Sequence, residues 1–583
     1  MHRCRSRSMH VWPAVMILST ARYGFSFQHH ISVPHWPFAL GLNSICCEET
    51  QIVAASCQRF ELELLHGEST HLIRPFSFLE RVMKNQTQYL MTLIPVLLGT
   101  CLYAEQASCP NIVLVMCDDL GWGDTGFNGN KIIKTPHLDA MAGAGMKFNR
   151  FYAASAVCSP TRGSVVTGRH PYRYGIPTAN AGHMKPEELT LAELLKKLGY
   201  TTGHFGKWHL GTLTKTLRES NRGGPKGIRH YSPPWDNGFD VCFSTEAKVP
   251  TYDPMLKPAK GASGKGWDYI QDKAAAVPYG THYWNEVGQM VKDNLKGDDS
   301  RIIMDRAVPF IEKSVMDGKP FFAIVWFHTP HLPVVAGPRH AKIYEKYSSH
   351  QKNYYGCVTA MDEQVGRLRA ALRNLNVADN TLVAFCSDNG PEGRRGSAPG
   401  SAGPFRGRKR DLYEGGVRVP GIIEWPTKIK SGMETNFPTV TSDYLPTILE
   451  IVGAEMPDRR PIDGISLIPV MEGRLKVRPR PIGFQFGGKL ALSDNRYKLV
   501  FYPKGRKKKK EPKKEKAAKQ KPGTFEGGRT YMLFDLLDDP AETKDIASEQ
   551  PDVVRQMSSV LESWVGSCRA SRTGRDYGSK PGG

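Results

Sequence analysis

From Asn111 onward, the chain alternates between two patterns of hydrophobic and polar positions. Runs of mainly apolar or β-branched residues occur at 111–116, 201–205, 321–327 and 381–385. The first run is continuous, which is typical of a strand buried on both faces of a sheet. Helical periodicity lies around them, at 137–146, 189–198, 302–315 and 354–375. This alternation predicts an α/β fold, a three-layer sandwich with a large, mostly parallel central sheet.

A change of pattern near residue 470 indicates a second, smaller unit. Short strands and an amphipathic helix are predicted at 482–486, 497–502, 531–535 and, for the helix, 551–565. We therefore expect a small α+β domain over 471–583. A lysine-rich, disordered insertion, 504–522, would occupy one of its hairpin loops.

Much of the net charge of +21 comes from this insertion. Residues 504–521 carry eleven basic and two acidic side chains, so they supply nine of the excess positive charges. Because the run contains no aromatic residues, its composition favours a solvated loop over a nucleic-acid site. We expect no nucleic-acid partner.

The first 82 residues differ from the rest of the chain. They contain four of the twelve cysteines and no lysine, and they show no periodic pattern. A new start follows at Met83, with an apolar run over 90–102 and small residues at 104 and 107, which together predict a secretory signal peptide over 83–107. Residues 1–82 would then be an upstream segment, non-functional or disordered, and the working protein would be secreted or periplasmic.

Two other interpretations of the apolar run stay open, an ordinary buried helix and a lipid anchor at Cys101. The run is too short to cross a bilayer, so we expect no stable membrane span. Seven cysteines follow it and none has Cys-x-x-Cys spacing. The sequence therefore does not indicate zinc, and it does not reveal a disulfide framework.

Polar residues follow several predicted strands, where ligands gather in open α/β sheets. Asp118 and Asp119 place two carboxylates side by side, which is costly unless a cation neutralises them. Asp388 and Asn389 repeat the arrangement with a carboxylate and an amide. Four oxygen-bearing side chains favour a hard ion, calcium rather than magnesium, although Asp118-Asp119 alone could be a helix cap or a turn.

Cys158 opens a predicted helix with Pro160 in its first turn, and the free amides of such a turn form a natural anion pocket to which Arg162 adds a charge. Lys207 and His209 are predicted on the same side of an extended segment. A cation and a titratable ring that face the same cavity can hold an oxyanion and transfer a proton. Alternatively, Cys158 could be a buried structural cysteine, and Lys207 and His209 could lie on an ordinary surface strand.

Two further stretches are less specific on their own. His328 and His331 lie in a proline-rich turn after a strand, where either could be a core or capping histidine. The basic, glycine-containing loop 405–418, which includes Lys409, would on its own be interpreted as a flexible surface segment.

Taken in order, these motifs resemble those of one family. The chain shows Asp118-Asp119-Leu120-Gly121, the run Cys158-Ser159-Pro160-Thr161-Arg162, Gly206-Lys207-Trp208-His209, His328-Thr329-Pro330-His331 and Ser387-Asp388-Asn389-Gly390. They look like the signature of the type I, formylglycine-dependent sulfatases of the arylsulfatase class, within the alkaline phosphatase-like superfamily. The resemblance implies a catalytic sulfatase domain over 108–470.

The resemblance also implies roles for ten residues. Cys158 would be oxidised to formylglycine by a formylglycine-generating or equivalent maturation enzyme. One calcium ion would be held by Asp118, Asp119, Asp388, Asn389 and the modified Cys158. Arg162 and Lys207 would stabilise the hydrated aldehyde. His209 would help to eject sulfate. His331 and Lys409 would bind sulfate and assist the leaving oxygen.

The implied activity is hydrolysis of sulfate esters. The substrate would be a sulfated small molecule or polysaccharide, and sulfated sugars are the expected substrate class. A phosphate or phosphonate monoester hydrolase of the same fold stays open, because a tetrahedral oxyanion fits the same cradle. So does a catalytically inactive protein that binds sulfated polysaccharide through residues 504–521. The sequence does not specify which ester is cleaved.

Overall fold

The computed structural model describes residues 109–219, 222–503 and 530–577. The expected upstream segment 1–82, signal peptide 83–107 and insertion 504–522 lie outside the described residues. The strands are β1 (Asn111–Cys117), β2 (Met146–Phe148), β3 (Phe151–Tyr152), β4 (Thr201–Lys207), β5 (Val241–Thr245), β6 (Leu256–Pro258), β7 (Ala276–Pro278), β8 (Phe321–Trp326), β9 (Thr381–Ser387), β10 (Arg418–Val419), β11 (Gly421–Glu424), β12 (Met433–Thr435), β13 (Thr439–Val440), β14 (Ile482–Phe486), β15 (Lys489–Ser493), β16 (Tyr497–Phe501) and β17 (Met532–Asp535). The α-helices are α1 (Pro136–Ala144), α2 (Cys158–Thr167), α3 (Pro171–Tyr174), α4 (Leu191–Lys197), α5 (Asp299–Met316), α6 (Pro338–Ile343), α7 (Ser349–Asn374), α8 (Glu414–Val417), α9 (Tyr444–Val452), α10 (Ile468–Met471) and α11 (Pro551–Arg572).

An eight-stranded sheet organises the larger part of the molecule. Its strand order is β12-β2-β11-β9-β1-β8-β4-β5. All strands run in one direction except β11, which is antiparallel to both of its neighbours. The predicted, mostly parallel central sheet is thus confirmed.

Side chains of the central strand β1 alternate between two hydrophobic cores, as the period of two in a strand requires. Ile112, Leu114 and Met116 pack into the core that contains residues of α2, α4 and α9. Val113 and Val115 pack into the core beneath α1, α5 and α7. Helices therefore cover both faces of the sheet, which explains why β1 is apolar at every position after Asn111.

The C-terminal residues form a separate antiparallel sheet, in the order β14-β15-β16-β17. Helix α11 packs on one face, where Val554 and Leu561 share a core with Leu499 and Leu533. This arrangement confirms the predicted α+β character. The sequence pattern does not predict β15, and it predicts the end of α11 at residue 565, whereas the helix continues to Arg572.

The sequence pattern also fails to predict β2, β5, β11 and β12 of the large sheet. Each has three to five residues, too few to show a period, and each is defined by its pairing with neighbouring strands. The helix expected at 137–146 ends earlier because Gly145 passes against β11, where a Cβ would lie 2.3 Å from the Ile423 carbonyl oxygen.

Helix α7 begins at Ser349, five residues before the predicted start. Ser348 explains the difference, because its hydroxyl accepts a hydrogen bond from the Gln351 amide while the Gln351 side chain reaches back to the Ser348 amide. Six cysteines among the described residues are free thiols, and these are Cys117, Cys158, Cys242, Cys357, Cys386 and Cys568. No helix within those residues is both long and apolar enough to cross a membrane.

Candidate active site

Strands β1 and β9 bring two polar pairs, Asp118-Asp119 and Asp388-Asn389, together just beyond their carboxyl ends. Their last residues, Cys117 and Ser387, lie opposite each other in parallel register, so Asp118 and Asp388 follow side by side. The Asp119 amide donates a hydrogen bond to Asp388 Oδ1 at 3.1 Å. The carboxylates predicted to share one edge of the sheet are therefore adjacent.

Two buried oxygens in this group accept no hydrogen bond from the described residues, namely Asp118 Oδ1 and Asn389 Oδ1. The Asn389 amide nitrogen donates to Asp119 Oδ1 at 2.6 Å. The amide oxygen of the same side chain has no donor among the described residues. An unsatisfied buried acceptor costs about 1–3 kcal/mol, and a bound cation would remove that cost. The donor set consists of oxygens, which suits a hard ion such as calcium.

Buried cations balance part of the negative charge. Lys207 Nζ lies 2.5 Å from Asp118 Oδ2, and Arg162 Nη2 lies 2.7 Å from Asp388 Oδ2. Burial alone would raise the pKa of Asp118, but surrounding charges, led by Lys207, hold it well below its usual range. Burial raises the pKa of Asp388 to about 7, and repulsion from Asp118 adds to this effect. A further cation would keep both carboxylates ionised.

Cys158 is the first residue of α2 and is only 2% exposed. Its sulfur and one carboxylate oxygen each from Asp118 and Asp388 all lie within 4.8 Å of one another. Burial raises the pKa of the Cys158 thiol, although Lys207 and Lys409 act against this. Because the thiolate is the nucleophilic form, the unmodified side chain would be a poor nucleophile here.

Lys207 and His209 both line the cavity in front of Cys158, although not on the extended segment that we predicted. Strand β4 ends at Lys207, and His209 adopts a left-handed conformation with a φ of 59°. A turn, rather than strand alternation, therefore places the imidazole at the site. Burial, and then the charge of Lys207, hold the pKa of His209 well below its usual range, so the ring is neutral near pH 7.

The two histidines after β8 occupy different environments. His328 is fully buried, with its ring nitrogens 2.7 Å from Thr245 Oγ1 and 2.8 Å from Asp299 Oδ2. His331 lines the cavity, with Nε2 3.7 Å from Asp119 Oδ2. Burial is the main cause that lowers the pKa of His331 to about 4. His328 is thus a scaffold residue and His331 faces the site.

The loop 405–418 is an ordered wall of the site and not the flexible surface segment that its composition suggests. Lys409 is 8% exposed, and its Nζ lies 2.7 Å from the carboxylate of Asp119. Gly416 passes so close to Asp411 that a Cβ would lie 2.0 Å from the Asp411 carbonyl oxygen. The glycines of this loop serve close packing.

Three residues near the site were not singled out from the sequence. Arg222 is buried and donates a hydrogen bond from Nη2 to Ser159 Oγ at 2.9 Å. Lys248 and Glu392 line the cavity. Arg222 and Lys248 come from irregular segments without a recognisable pattern, so only the folded chain reveals their proximity to Cys158.

The structure brings all ten predicted site residues together. Five line a cavity of about 370 Å³, and these are Cys158, Lys207, His209, His331 and Lys409. The other five are buried behind them, and these are Asp118, Asp119, Arg162, Asp388 and Asn389. A cavity with buried carboxylates, cations and a helix N-terminus at its base can bind a tetrahedral oxyanion and a metal ion together.

Comparison with known proteins gives consistent similarities. The sulfatase family model matches residues 110–454. N-acetylgalactosamine-6-sulfatase from Sus scrofa is 35% identical over 419 residues, which cover 67% of this chain and 72% of that protein. Arylsulfatase G from Rattus norvegicus is 30% identical over 493 residues, with 78% and 88% covered. The crystal structure of Ps i-CgsB aligns with a TM-score of 0.63 and 26% identity, over 79% of this chain and 93% of that one.

Proposed function

The chain belongs to the sulfatase family and is a sulfuric ester hydrolase, and we propose that it cleaves sulfate esters of sugars by means of a formylglycine derived from Cys158 and one calcium ion. The observation that carries this proposal is the convergence of Cys158, Asp118 and Asp388 within 4.8 Å at the N-terminus of α2. The carboxylate oxygens around Cys158 suit a hard ion such as calcium, which an oxygen group at position 158 would bind better than a soft thiolate would.

Calcium would be held by Asp118, Asp119, Asp388, Asn389 and the modified Cys158. The two buried oxygens without a hydrogen-bond donor, Asp118 Oδ1 and Asn389 Oδ1, support this assignment. When bound, the ion would act as a Lewis acid that makes a nearby hydroxyl more acidic.

Formylglycine would supply, in its hydrated form, two hydroxyls on one carbon, one to attack sulfur and one whose later deprotonation expels sulfate. A serine or an unmodified cysteine lacks the second group. Arg162 and Lys207, both fully buried beside Cys158, would hold the hydrated form in place through their charge. The maturation enzyme that oxidises Cys158 would be a partner of this protein.

Proton transfer would be divided between different residues that line the cavity. His209 is neutral near pH 7 and could accept a proton from a hydroxyl at position 158. His331 and Lys409, which line the same cavity, would bind the sulfate and assist the leaving oxygen. This division matches general acid–base catalysis, in which one group accepts a proton and another assists the leaving group.

Sugar substrates are proposed from the relatives. N-acetylgalactosamine-6-sulfatase, the pig protein, is named for a sulfated amino sugar. The cavity of about 370 Å³ has room for a sulfate group and one sugar ring. We propose further that the catalytic domain spans 108–470, that the small domain spans 471–583, and that the signal peptide 83–107 directs secretion or periplasmic export.

One experiment tests the proposal directly. The protein, coexpressed with a formylglycine-generating enzyme, is analysed by mass spectrometry of the peptide that contains position 158, and rates are measured on matched sulfate and phosphate esters. We expect formylglycine at position 158 and a preference for sulfate. Cys158→Ala should abolish turnover, and Cys568→Ala, which removes another buried free cysteine, should not. Unmodified cysteine in an active protein would refute the mechanism.

A further inference from the structure

We infer that Lys248 binds a second anionic group of the substrate, another sulfate on the same sugar, beside the sulfate that is cleaved. The inference rests on the proposed function, because it assumes that the scissile sulfate occupies the base of the cavity at Cys158. It adds the substrate class, namely sugars with two negative charges.

The fold places Lys248 beside the site through the pairing of two strands. In β4 and β5, Lys207 lies opposite Thr245 in parallel register. The chain then turns, and the Thr245 hydroxyl stabilises the turn by donating to the Ala247 carbonyl at 2.6 Å. Ala247 is buried, and Lys248 emerges into the same cavity as Lys207.

Lys248 differs from the other lysines and arginines of the cavity in its charge balance. The others each have a carboxylate partner, Lys207 with Asp118, Lys409 with Asp119 and Arg410 with Glu392. Among the described residues, no carboxylate lies within ion-pair distance of Lys248 and no hydrogen bond engages its ammonium group. Its positive charge is therefore available to a ligand.

The depth of Lys248 indicates which part of the ligand it meets. Cys158 and Lys207 are 2% and 1% exposed, so the sulfate that reacts must reach the base of the cavity. Lys248 is half-buried and lies nearer the mouth. Burial, and then the charges of Lys207 and Lys409, lower its pKa, so an anion at this position would relieve an unfavourable environment.

Neutral groups complete the wall around this position. Thr178 and Asn180 offer a hydroxyl and an amide for hydrogen bonds to sugar hydroxyls, and Phe486 offers an aromatic ring. A few polar groups beside an apolar surface are typical of small-ligand sites. The lining thus suits a sugar ring between the base of the cavity and Lys248.

The test compares substrates with one and two anionic groups. We measure kcat and KM for N-acetylgalactosamine 6-sulfate against its 4,6-disulfate, and for N-acetylglucosamine 6-sulfate against glucosamine 2-N,6-O-disulfate. The wild-type protein should prefer the doubly charged member of at least one pair by about tenfold in kcat/KM, mainly through KM, as a charge-assisted contact provides. Lys248→Met should bring this ratio close to one, whereas Lys248→Arg should keep most of it. Lys313→Met, an exposed lysine on α5, is the control and should leave the ratio unchanged.

Two results would overturn the inference while the proposed function stands. One is hydrolysis of both pairs by the wild type without any preference for a second anion. The other is an equal loss in Lys248→Met on singly and doubly charged substrates, which would place the lysine on the scissile sulfate. Failure of the matured protein to hydrolyse any of the sulfates, 4-nitrophenyl sulfate included, would instead refute the proposed function.

Discussion

The Arg222 guanidinium donates a hydrogen bond from Nη2 to the hydroxyl of Ser159, the residue after Cys158, at 2.9 Å. That hydroxyl in turn donates to the His209 carbonyl at 2.5 Å, and Arg222 Nη1 lies 3.3 Å from the same oxygen. Arg222 thus ties the start of α2 to the left-handed turn at His209. It is a positioning residue, since it contacts the neighbours of Cys158 and not the cavity.

We expect Arg222→Met to lower kcat by about 10- to 100-fold with a smaller change in KM, because small displacements of reacting groups are costly. Arg222→Lys should recover part of the rate. In a double-mutant cycle, Ser159→Ala should cost little when Arg222 is already replaced. Additive losses, or a fall in the melting temperature that accounts for the lost activity, would contradict a positioning role.

Removal of calcium is the second prediction. Dialysis against EGTA should lower kcat at least a hundredfold and should lower the melting temperature, because the ligand stabilises only the folded state. Calcium should restore both, and magnesium should restore less because it requires a tighter octahedral site. Asp388→Asn should weaken this response. Asp293→Asn, an exposed aspartate, should not. Full activity in protein shown to be free of calcium would contradict the assignment.

Without the family resemblance, the sequence predicts best the parts of the site that are tied to strand ends. Asp118 and Asp388 follow long apolar strands, so their meeting follows from parallel pairing. Lys409 and Arg222 lie in loops whose paths depend on close packing and on long-range hydrogen bonds, and no local period records those contacts. The same limit applies to the fold, where β1 and β9 are predicted and the short strand β11, defined only by its neighbours, is not.

The third prediction separates the histidines after β8. His331→Gln should lower kcat about 100-fold on a sugar sulfate and much less on 4-nitrophenyl sulfate, because nitrophenolate is a stable leaving group that needs little help from a neighbouring side chain. His328→Gln should lower the melting temperature instead, since it disturbs buried contacts with Thr245 and Asp299. Equal losses on both substrates in His331→Gln would exclude assistance to the leaving oxygen.

The fourth prediction concerns the contact between the two sheets. Lys498 of β16 is fully buried, and its Nζ lies 2.8 Å from Glu414 Oε1 and 3.2 Å from Glu542 Oε1. Burial would raise the pKa of Glu414, but the surrounding positive charges, led by Lys498, together lower it. Lys498→Met would leave both carboxylates without this partner.

Removing one member of a buried ion pair costs about 3–5 kcal/mol, whereas an exposed pair contributes about 0–1 kcal/mol. We therefore expect Lys498→Met to move the urea midpoint strongly downward. Lys544→Met, which removes an exposed pair with Glu549, should hardly change it. Because Glu414 belongs to the same loop as Lys409, the Lys498 variant should also lose activity at urea concentrations that the Lys544 variant tolerates. Equal midpoints for the two variants would show that the buried charges do not hold the small sheet in place.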